Sequence, residues 1–159
     1  MDYAKKALAV EPSTGNAGAH KWYALALGKL VQVDHKLAKA VRADEEMTRH
    51  LEKSVKLDPK DAYAWFFLGH QHYQRKDYKE ALKCFQKGEE VKPGFSAINL
   101  YHLGDTLVHE GKKEEGLAVL IRAANFHCQS MLDNKGKVMA RGKLTQSHKM
   151  KSEDISVAF

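Results

Sequence analysis

The sequence has few of the residues that interrupt helices or cross-link small folds. Its 159 residues include three prolines and two cysteines, Cys84 and Cys128. So little proline suits long helices, and a disulfide framework would need more cysteines in a shorter chain. We therefore interpret both cysteines as reduced thiols of a cytosolic protein. No apolar run approaches the roughly 18 residues that a membrane-spanning helix needs.

The first ten residues lack the apolar centre of a secretory signal. They form an amphipathic stretch that carries Asp2, Lys5 and Lys6. This pattern is typical of the end of a helix that began upstream. We therefore expect the chain to be a fragment of a longer protein, in which a missing upstream segment could carry an anchor or a targeting signal.

Acidic residues are missing from one long window near the C-terminus. The chain has a net charge of +6, and the rest of it carries 20 basic and 20 acidic residues, so the whole excess lies in residues 134–151. The basic residues of this window are Lys135, Lys137, Arg141, Lys143, Lys149 and Lys151. Such a segment either binds an acidic surface, such as tubulin tails, nucleic acid or anionic lipid, or is a solvated helix with no partner.

An internal repeat is the strongest pattern in the sequence. One unit of about 34 residues begins at Ala62 and places a Trp, a Leu-Gly pair, an aromatic, a small residue and a closing proline at the spacing of a tetratricopeptide repeat. These residues are Trp65, Leu68, Gly69, Tyr78, Ala81, Phe85 and Pro93. The small residues at 69 and 81 let two helices approach closely, and the proline ends the second helix. The pattern predicts an antiparallel helix pair.

Two weaker units flank this one. Leu103-Gly104 repeats Leu68-Gly69 after 35 residues, with Gly111 at the turn. Upstream, Leu27-Gly28 precedes Gly69 by 41 residues, which leaves an excess of seven between Gln32 and Glu46. That stretch has neither glycine nor proline, so we predict that it lengthens the second helix of the first pair.

These units predict an all-α fold, a tetratricopeptide-repeat α-solenoid of antiparallel helix pairs with a C-terminal capping helix. The predicted divisions are the end of a preceding repeat helix at 1–12, a lengthened first repeat at 13–59, a second repeat at 60–95, a third at 96–130, a basic capping helix at 131–151 and a mobile tail at 152–159.

Three blocks of the sequence resemble the regulator of microtubule dynamics family. They are His20-Lys21-Trp22-Tyr23-Ala24 with its Leu27-Gly28, then Leu57-Asp58-Pro59-Lys60-Asp61-Ala62, then residues 85–95 ending in Lys92-Pro93-Gly94-Phe95. The resemblance runs from about Asp2 to the Gln146 region. It implies a cytosolic or membrane-tethered repeat protein that associates with microtubules and spindle poles. For some relatives it also implies work at organelle contacts, with lipid in the groove.

The chain departs from this family at one place. Many relatives carry a long insertion within the middle repeat, where this chain has Arg75-Lys76-Asp77. Functions of that insertion are therefore not carried over.

The first helix of each pair lines the concave face of a repeat stack. Its residues predict an aromatic groove for an apolar helix, an extended peptide or a lipid, although the same rings could pack between helices. The predicted groove residues are Trp22, Leu25, Lys29, Tyr63, Phe66, His70, Tyr73, Tyr101, Asp105 and His109. The Lys and Asn clamp of chaperone-binding repeats is absent from the corresponding positions.

No catalytic, cofactor or metal motif is evident. His70 and His72 point to different faces of a helix, and His127-Cys128 lacks the second pair of ligands that a zinc site needs. No aromatic residues lie among the basic ones, which makes nucleic acid the least favoured partner.

The sequence therefore predicts a non-enzymatic, cytoplasmic interaction module that associates with microtubules or spindle proteins, partly through charge. The alternative is a lipid- or peptide-binding module that uses the concave groove, and a general assembly scaffold is a third interpretation.

Overall fold

The computed structural model describes residues 15–157, and all regular structure in that range is helical. The helices are α1 (Ala17–Val33), α2 (His35–Ala40), α3 (Ala43–Leu57), α4 (Ala62–Gln74), α5 (Tyr78–Val91), α6 (Ala97–His109), α7 (Lys113–Ala124), α8 (Met131–Gly142) and α9 (Ser152–Val157), with a π-helical turn over Lys143–Ser147. The prediction of an all-helical chain is confirmed over these residues. The helix end predicted at 1–12 lies outside them.

The long helices pack in sequential pairs. The largest contacts join α1 to α3, α4 to α5 and α6 to α7, and smaller ones join α3 to α4, α5 to α6 and α7 to α8. Three residues connect α4 to α5, so the two helices run antiparallel, and α6 and α7 are connected in the same way.

The two short connections use the same backbone conformation. Lys76 and Gly111 each lie two residues beyond the preceding helix and have positive φ angles of 62° and 83°. In each turn the next amide donates to a carbonyl in the last turn of the helix, from Asp77 to His72 and from Lys112 to Leu107. This left-handed termination closes a helix and reverses the chain, as the glycine at 111 predicted.

Capping side chains fix where the long helices begin. Asp61 accepts a hydrogen bond from the Ala64 amide at 3.1 Å, and Asp77 accepts one from the Glu80 amide at 3.3 Å. The start of α6 is capped from another helix, because Asp133 of α8 accepts from the Ala97 amide at 3.1 Å. Unpaired amides at a helix start are thereby satisfied, and α8 is tied to α6.

Apolar side chains form two adjoining cores. One lies between α1, α3 and α4 and includes Leu27, Met47 and Leu51. The other extends from α4 to α9 and includes Phe85 and Leu120. None of the described helices combines the length and the apolar character that crossing a bilayer requires.

We predicted that the excess residues of the first unit lengthen its second helix. The structure shows that they do not. They lie at the predicted place, but nine residues connect α1 to α3, and six of these form the separate helix α2. Asp34 leaves the helical conformation and caps α2 by accepting from the Leu37 amide, and Arg42 adopts a left-handed φ of 50°. Capping and a left-handed residue therefore break the helix without glycine or proline.

The C-terminal part also differs from the predicted capping helix at 131–151 and mobile tail at 152–159. The helical stretch ends at Ser147, and Lys149 has a left-handed φ of 58°. The predicted tail forms α9, in which Ile155 is buried and its carbonyl accepts from Asn125 Nδ2 at 2.7 Å. Burial of one isoleucine and this hydrogen bond hold the segment against α7. Residues 158–159 lie outside the described range.

Glycine permits a close contact between α6 and α7. A Cβ on Gly104 would lie 2.9 Å from the Gly116 carbonyl oxygen and 3.0 Å from the Leu120 amide nitrogen, so α6 and α7 would have to separate. We expect Gly104→Ala to lower the free energy of unfolding by about 1–3 kcal/mol. Urea denaturation followed by circular dichroism measures this change.

The matched control is Gly142→Ala, because a Cβ at Gly142 meets nothing within 4 Å. Alanine favours the helix by about 1 kcal/mol over glycine, so this variant should be as stable as the parent or more stable. Equal effects of the two substitutions would contradict the close contact.

Candidate functional site

An open pocket of about 600 Å³ lies between α1, α3 and α4. Its mostly apolar floor is formed by side chains that the helices turn towards one another. The lining residues are Trp22, Leu25, Ala26, Gly28, Lys29, Val31, Gln32, Asp44, Met47, Phe67, His70, Gln71 and Gln74. A concave apolar surface with a few polar groups is the usual form of a ligand site.

Trp22 is the most exposed aromatic side chain of this pocket. It is 65% exposed, although the first core lies directly beneath α1. The second tryptophan, Trp65, is instead held by a hydrogen bond from its Nε1 to the Pro59 carbonyl at 2.9 Å. A large apolar ring that stays in water beside a pocket is typical of a binding surface.

The predicted groove residues do not form one continuous surface. Trp22, Leu25, Lys29 and His70 line the pocket together. Phe66, Tyr101 and Asp105 are buried, with 4%, 9% and 1% of their surfaces exposed. In this structure those three cannot contact a partner. The accessible groove therefore contains only some of the residues that the sequence predicted.

The remaining predicted side chains contact neighbouring helices. Tyr63 packs edge-on against Phe95 at a centroid distance of 5.0 Å, and His109 stacks on Tyr78 at 4.2 Å. Tyr73 donates a hydrogen bond from its hydroxyl to Asp105.

The prediction from the sequence missed several lining residues because it assigned the wrong face of α4 to the groove. We predicted positions 63, 66, 70 and 73, whereas the pocket uses 67, 70, 71 and 74. A shift of one residue turns the face of a helix by about 100°. The apolar residue Phe67 and the glutamines Gln71 and Gln74, at spacings of four and three, are the signal that could have identified this face.

Asp105 is the centre of a buried polar cluster. Its carboxylate accepts from Tyr73, forms an ion pair of 2.8 Å with Lys143 Nζ, and lies 3.6 Å from His109 Nε2. Burial favours the protonated acid, but the hydrogen bonds from Lys143 and Tyr73 outweigh it and hold the pKa of Asp105 below its usual value. Burial and the bond to Asp105 raise the pKa of Tyr73.

This cluster removes one cation from the predicted basic surface. Lys143 is engaged with Asp105, and Arg141 donates from Nε to the Ala124 carbonyl at 3.0 Å. Lys135, Lys149 and Lys151 are exposed, and Lys137 is half-buried. We define these last four lysines as the basic surface. Whether they bind a partner remains a prediction.

Two histidine pairs lie in close contact, and three of the four side chains, those of His20, His50 and His102, are buried. The Nδ1 atoms of His20 and His50 are 2.7 Å apart, and the rings of His70 and His102 meet edge-on at 5.1 Å. Burial and the neighbouring His20 lower the pKa of His50 to about 4, and burial and His70 lower that of His102 to about 3. Both imidazoles are therefore neutral at physiological pH.

The described side chains indicate neither a metal site nor a reactive thiol at Cys84. Within residues 15–157, no group of three or more His, Cys, Asp or Glu is arranged to hold a metal ion. Burial raises the pKa of the Cys84 thiol to about 12, which keeps it protonated and a poor nucleophile.

We expect Lys143→Ala to destabilise the protein, because it leaves the Asp105 carboxylate buried without its cation. The loss should be on the order of 2–3 kcal/mol, less than for a fully buried pair, because Lys143 is partly exposed. Chemical denaturation measures it, and Asp105→Asn together with Lys143→Ala should recover part of the loss. An unchanged denaturation midpoint for Lys143→Ala would show that the ion pair contributes nothing.

The neutral histidines predict a pH-dependent stability. Unfolded histidines take up protons below about pH 6.5, whereas folded His50 and His102 do not do so until about pH 4 and 3. The free energy of unfolding should therefore fall as the pH drops, by about 1 kcal/mol per histidine between about pH 7 and 5.5. In His102→Phe the loss between these two pH values should be smaller, and an equal loss would contradict the assignment of His102.

Comparison with known proteins identifies relatives of this chain. The family model described as regulator of microtubule dynamics protein 1-3 matches residues 1–77 and 74–149. The two matched segments meet at the turn between α4 and α5.

The similarity extends over most of the chain. Regulator of microtubule dynamics protein 1 of Mus musculus is 32% identical over 91% of this chain and 53% of its own length, and that of Rattus norvegicus is 31% identical over 91% and 52%. Regulator of microtubule dynamics protein 3 of Rattus norvegicus is 25% identical over 67% and 27%. The chain spans about half the length of the protein 1 relatives. It belongs to the regulator of microtubule dynamics family.

Proposed function

We propose that this chain is a non-enzymatic tetratricopeptide-repeat interaction module that associates with microtubules or spindle components in the cytoplasm. The observation that carries the proposal is the basic surface, four lysines of one sequence window that form no ion pair among the described residues, in a chain of this family. The relatives' names describe regulation of microtubule dynamics, and no reaction is named among them.

Three features support the repeat architecture. The helix pairs α4–α5 and α6–α7 have matching connections of three residues and matching left-handed turns. In each pair a glycine on the first helix, Gly69 or Gly104, lies against the second helix. A stack of such pairs presents an extended surface, which suits binding to a large partner.

The charges of the basic surface support an acidic partner. Lys135, Lys137, Lys149 and Lys151 form no ion pair among the described residues. A cation that no neighbouring carboxylate compensates contributes fully to the surface potential and attracts acidic surfaces such as that of a microtubule.

Co-sedimentation with microtubules tests this proposal. Single exposed charges contribute little, so all four lysines of the basic surface are replaced by Glu together. The variant keeps Lys143 and Arg141, which bind within the protein. We expect it to remain in the supernatant, and the parent protein to leave the pellet as salt rises, because the Debye length falls from about 10 Å at 0.1 M to about 3 Å at 1 M.

The matched control reverses the same number of exposed lysines elsewhere, on α2, α3, α5 and the loop before α4. These lysines are Lys36, Lys53, Lys60 and Lys79. This control has the same net charge as the first variant and should bind microtubules better. Circular dichroism checks both folds. Full sedimentation of the first variant would overturn the role of the basic surface.

The second candidate function is binding of a lipid or peptide. The observation that favours it is the pocket of about 600 Å³ beside the exposed Trp22 ring. Mass spectrometry of the purified protein under native conditions would detect a retained lipid.

A further inference from the structure

The pocket between α1, α3 and α4 has one cation in its lining and a second beside the lining. Lys29 lies on its α1 wall. At the α3 edge, Arg75 donates from Nη2 to the Asp44 carbonyl at 2.8 Å, so its guanidinium lies beside a residue of the pocket lining. Asp44 is the one carboxylate among the described lining residues. An anionic occupant is therefore favoured over a cationic one.

One lysine of the basic surface, Lys135, acts electrostatically on a residue of this pocket. Gly136 of α8 packs directly on the start of α6, where an added Cβ would lie 2.4 Å from the Ile98 nitrogen. This contact fixes the neighbouring Lys135. Its charge reaches His70, which lines the pocket, and together with burial lowers the pKa of that histidine.

A nearby carboxylate that would offset these cations is already engaged. Asp105 of α6 is buried and paired with Lys143 at 2.8 Å. Its charge is therefore offset within the protein.

The polar groups of the pocket favour a peptide over a lipid chain. Gln32, Gln71 and Gln74 line it, and each amide both donates and accepts hydrogen bonds. A peptide backbone offers matching donors and acceptors along its length, whereas an acyl chain offers these amides none. Trp22, Met47 and Phe67 supply the apolar contact for one inserted side chain.

We infer that this groove binds an extended acidic peptide, which inserts one apolar side chain beside Trp22 and directs its carboxylates towards Lys29 and Arg75. This inference rests on the proposed function, because the acidic segment would belong to the microtubule or spindle partner. It deepens that function by adding a groove contact to the charge attraction of the basic surface.

Tryptophan fluorescence tests the inference directly, because Trp22 is exposed in the free protein. The background variant is Trp65→Phe, which leaves Trp22 as the single tryptophan. The probe is a short synthetic peptide of alternating Glu and Gly with one central Phe. Binding should shift Trp22 emission to shorter wavelength as the ring leaves water.

Two altered peptides separate the apolar contribution from the charged one. Replacing the central Phe by Gly removes the inserted side chain and should weaken binding about tenfold or more. Replacing every Glu by Gln should abolish binding at low salt. Equal binding of all three peptides, or no emission shift with the first, would overturn the inference.

Variants of the protein locate the contact. Lys29→Glu should weaken the peptide several-fold, while the matched Lys36→Glu, which is exposed on α2 and does not line the pocket, should bind like the parent. Trp22→Ala, measured by calorimetry because the fluorescent ring is gone, should lose the preference for the Phe peptide. Unchanged affinity in both Lys29→Glu and Trp22→Ala would overturn the assignment of this groove.

Vesicles distinguish a lipid occupant. Vesicles of phosphatidylcholine, alone or mixed with phosphatidylserine, should leave Trp22 emission nearly unchanged, and a shift with vesicles but not with the peptide would overturn the inference. Co-sedimentation separates the two proposals. If the parent protein pellets with microtubules but the peptide does not bind, the groove inference is wrong and the proposed function stands. If the peptide binds but microtubules do not, the groove inference stands and the microtubule proposal is wrong.

Discussion

The close approach of paired helices is the constraint on which the rest of this structure depends. At Gly104 the two helices meet through backbone atoms, since an added Cβ would lie 2.9 Å from the Gly116 carbonyl. At Gly69 an added Cβ would lie 2.8 Å from the ring of the fully buried Phe85. Such contacts leave little freedom in how one helix is rotated against the next. They decide which side chains enter the core and which remain on the surface.

A second constraint comes from the buried carboxylate of Asp105. A charge with 1% exposure is tolerated only when it is paired and hydrogen-bonded, and here Lys143 and Tyr73 supply those partners. The pair ties the π-helical turn after α8 to α6 and α4. It also divides the basic residues of the C-terminal window into those that hold the fold and those that face solvent. The sequence shows one run of positive charge, but only part of it forms a surface.

Much of the fold could be predicted because it depends on local patterns. The Leu-Gly pairs, the turn at Gly111 and the absence of helix breakers predicted where the long helices and their close contacts lie. Helix α2 could not be predicted, because it depends on the side-chain cap of Asp34 and the left-handed conformation of Arg42. Neither residue type by itself signals a helix break. Helix α9 was missed because its main anchor is a single buried residue, Ile155. Whether a residue such as Ile155 is buried depends on the tertiary surface against which it packs.

The candidate site was harder to predict, because its position depends on differences between repeats. At Gly28 the added Cβ would meet only Met47, whose flexible end lies 3.1 Å away, so α1 and α3 are packed less rigidly than α6 and α7. The connection that contains α2 joins the two helices of this loosely packed pair. The pocket lies between these two helices and α4, with Met47 in its lining. Methionine adapts its shape at low cost, so this wall can adjust to an inserted side chain while the glycine contacts downstream stay fixed. A site that adapts on one side and is rigid on the other suits a partner recognised by one apolar side chain and by its charge.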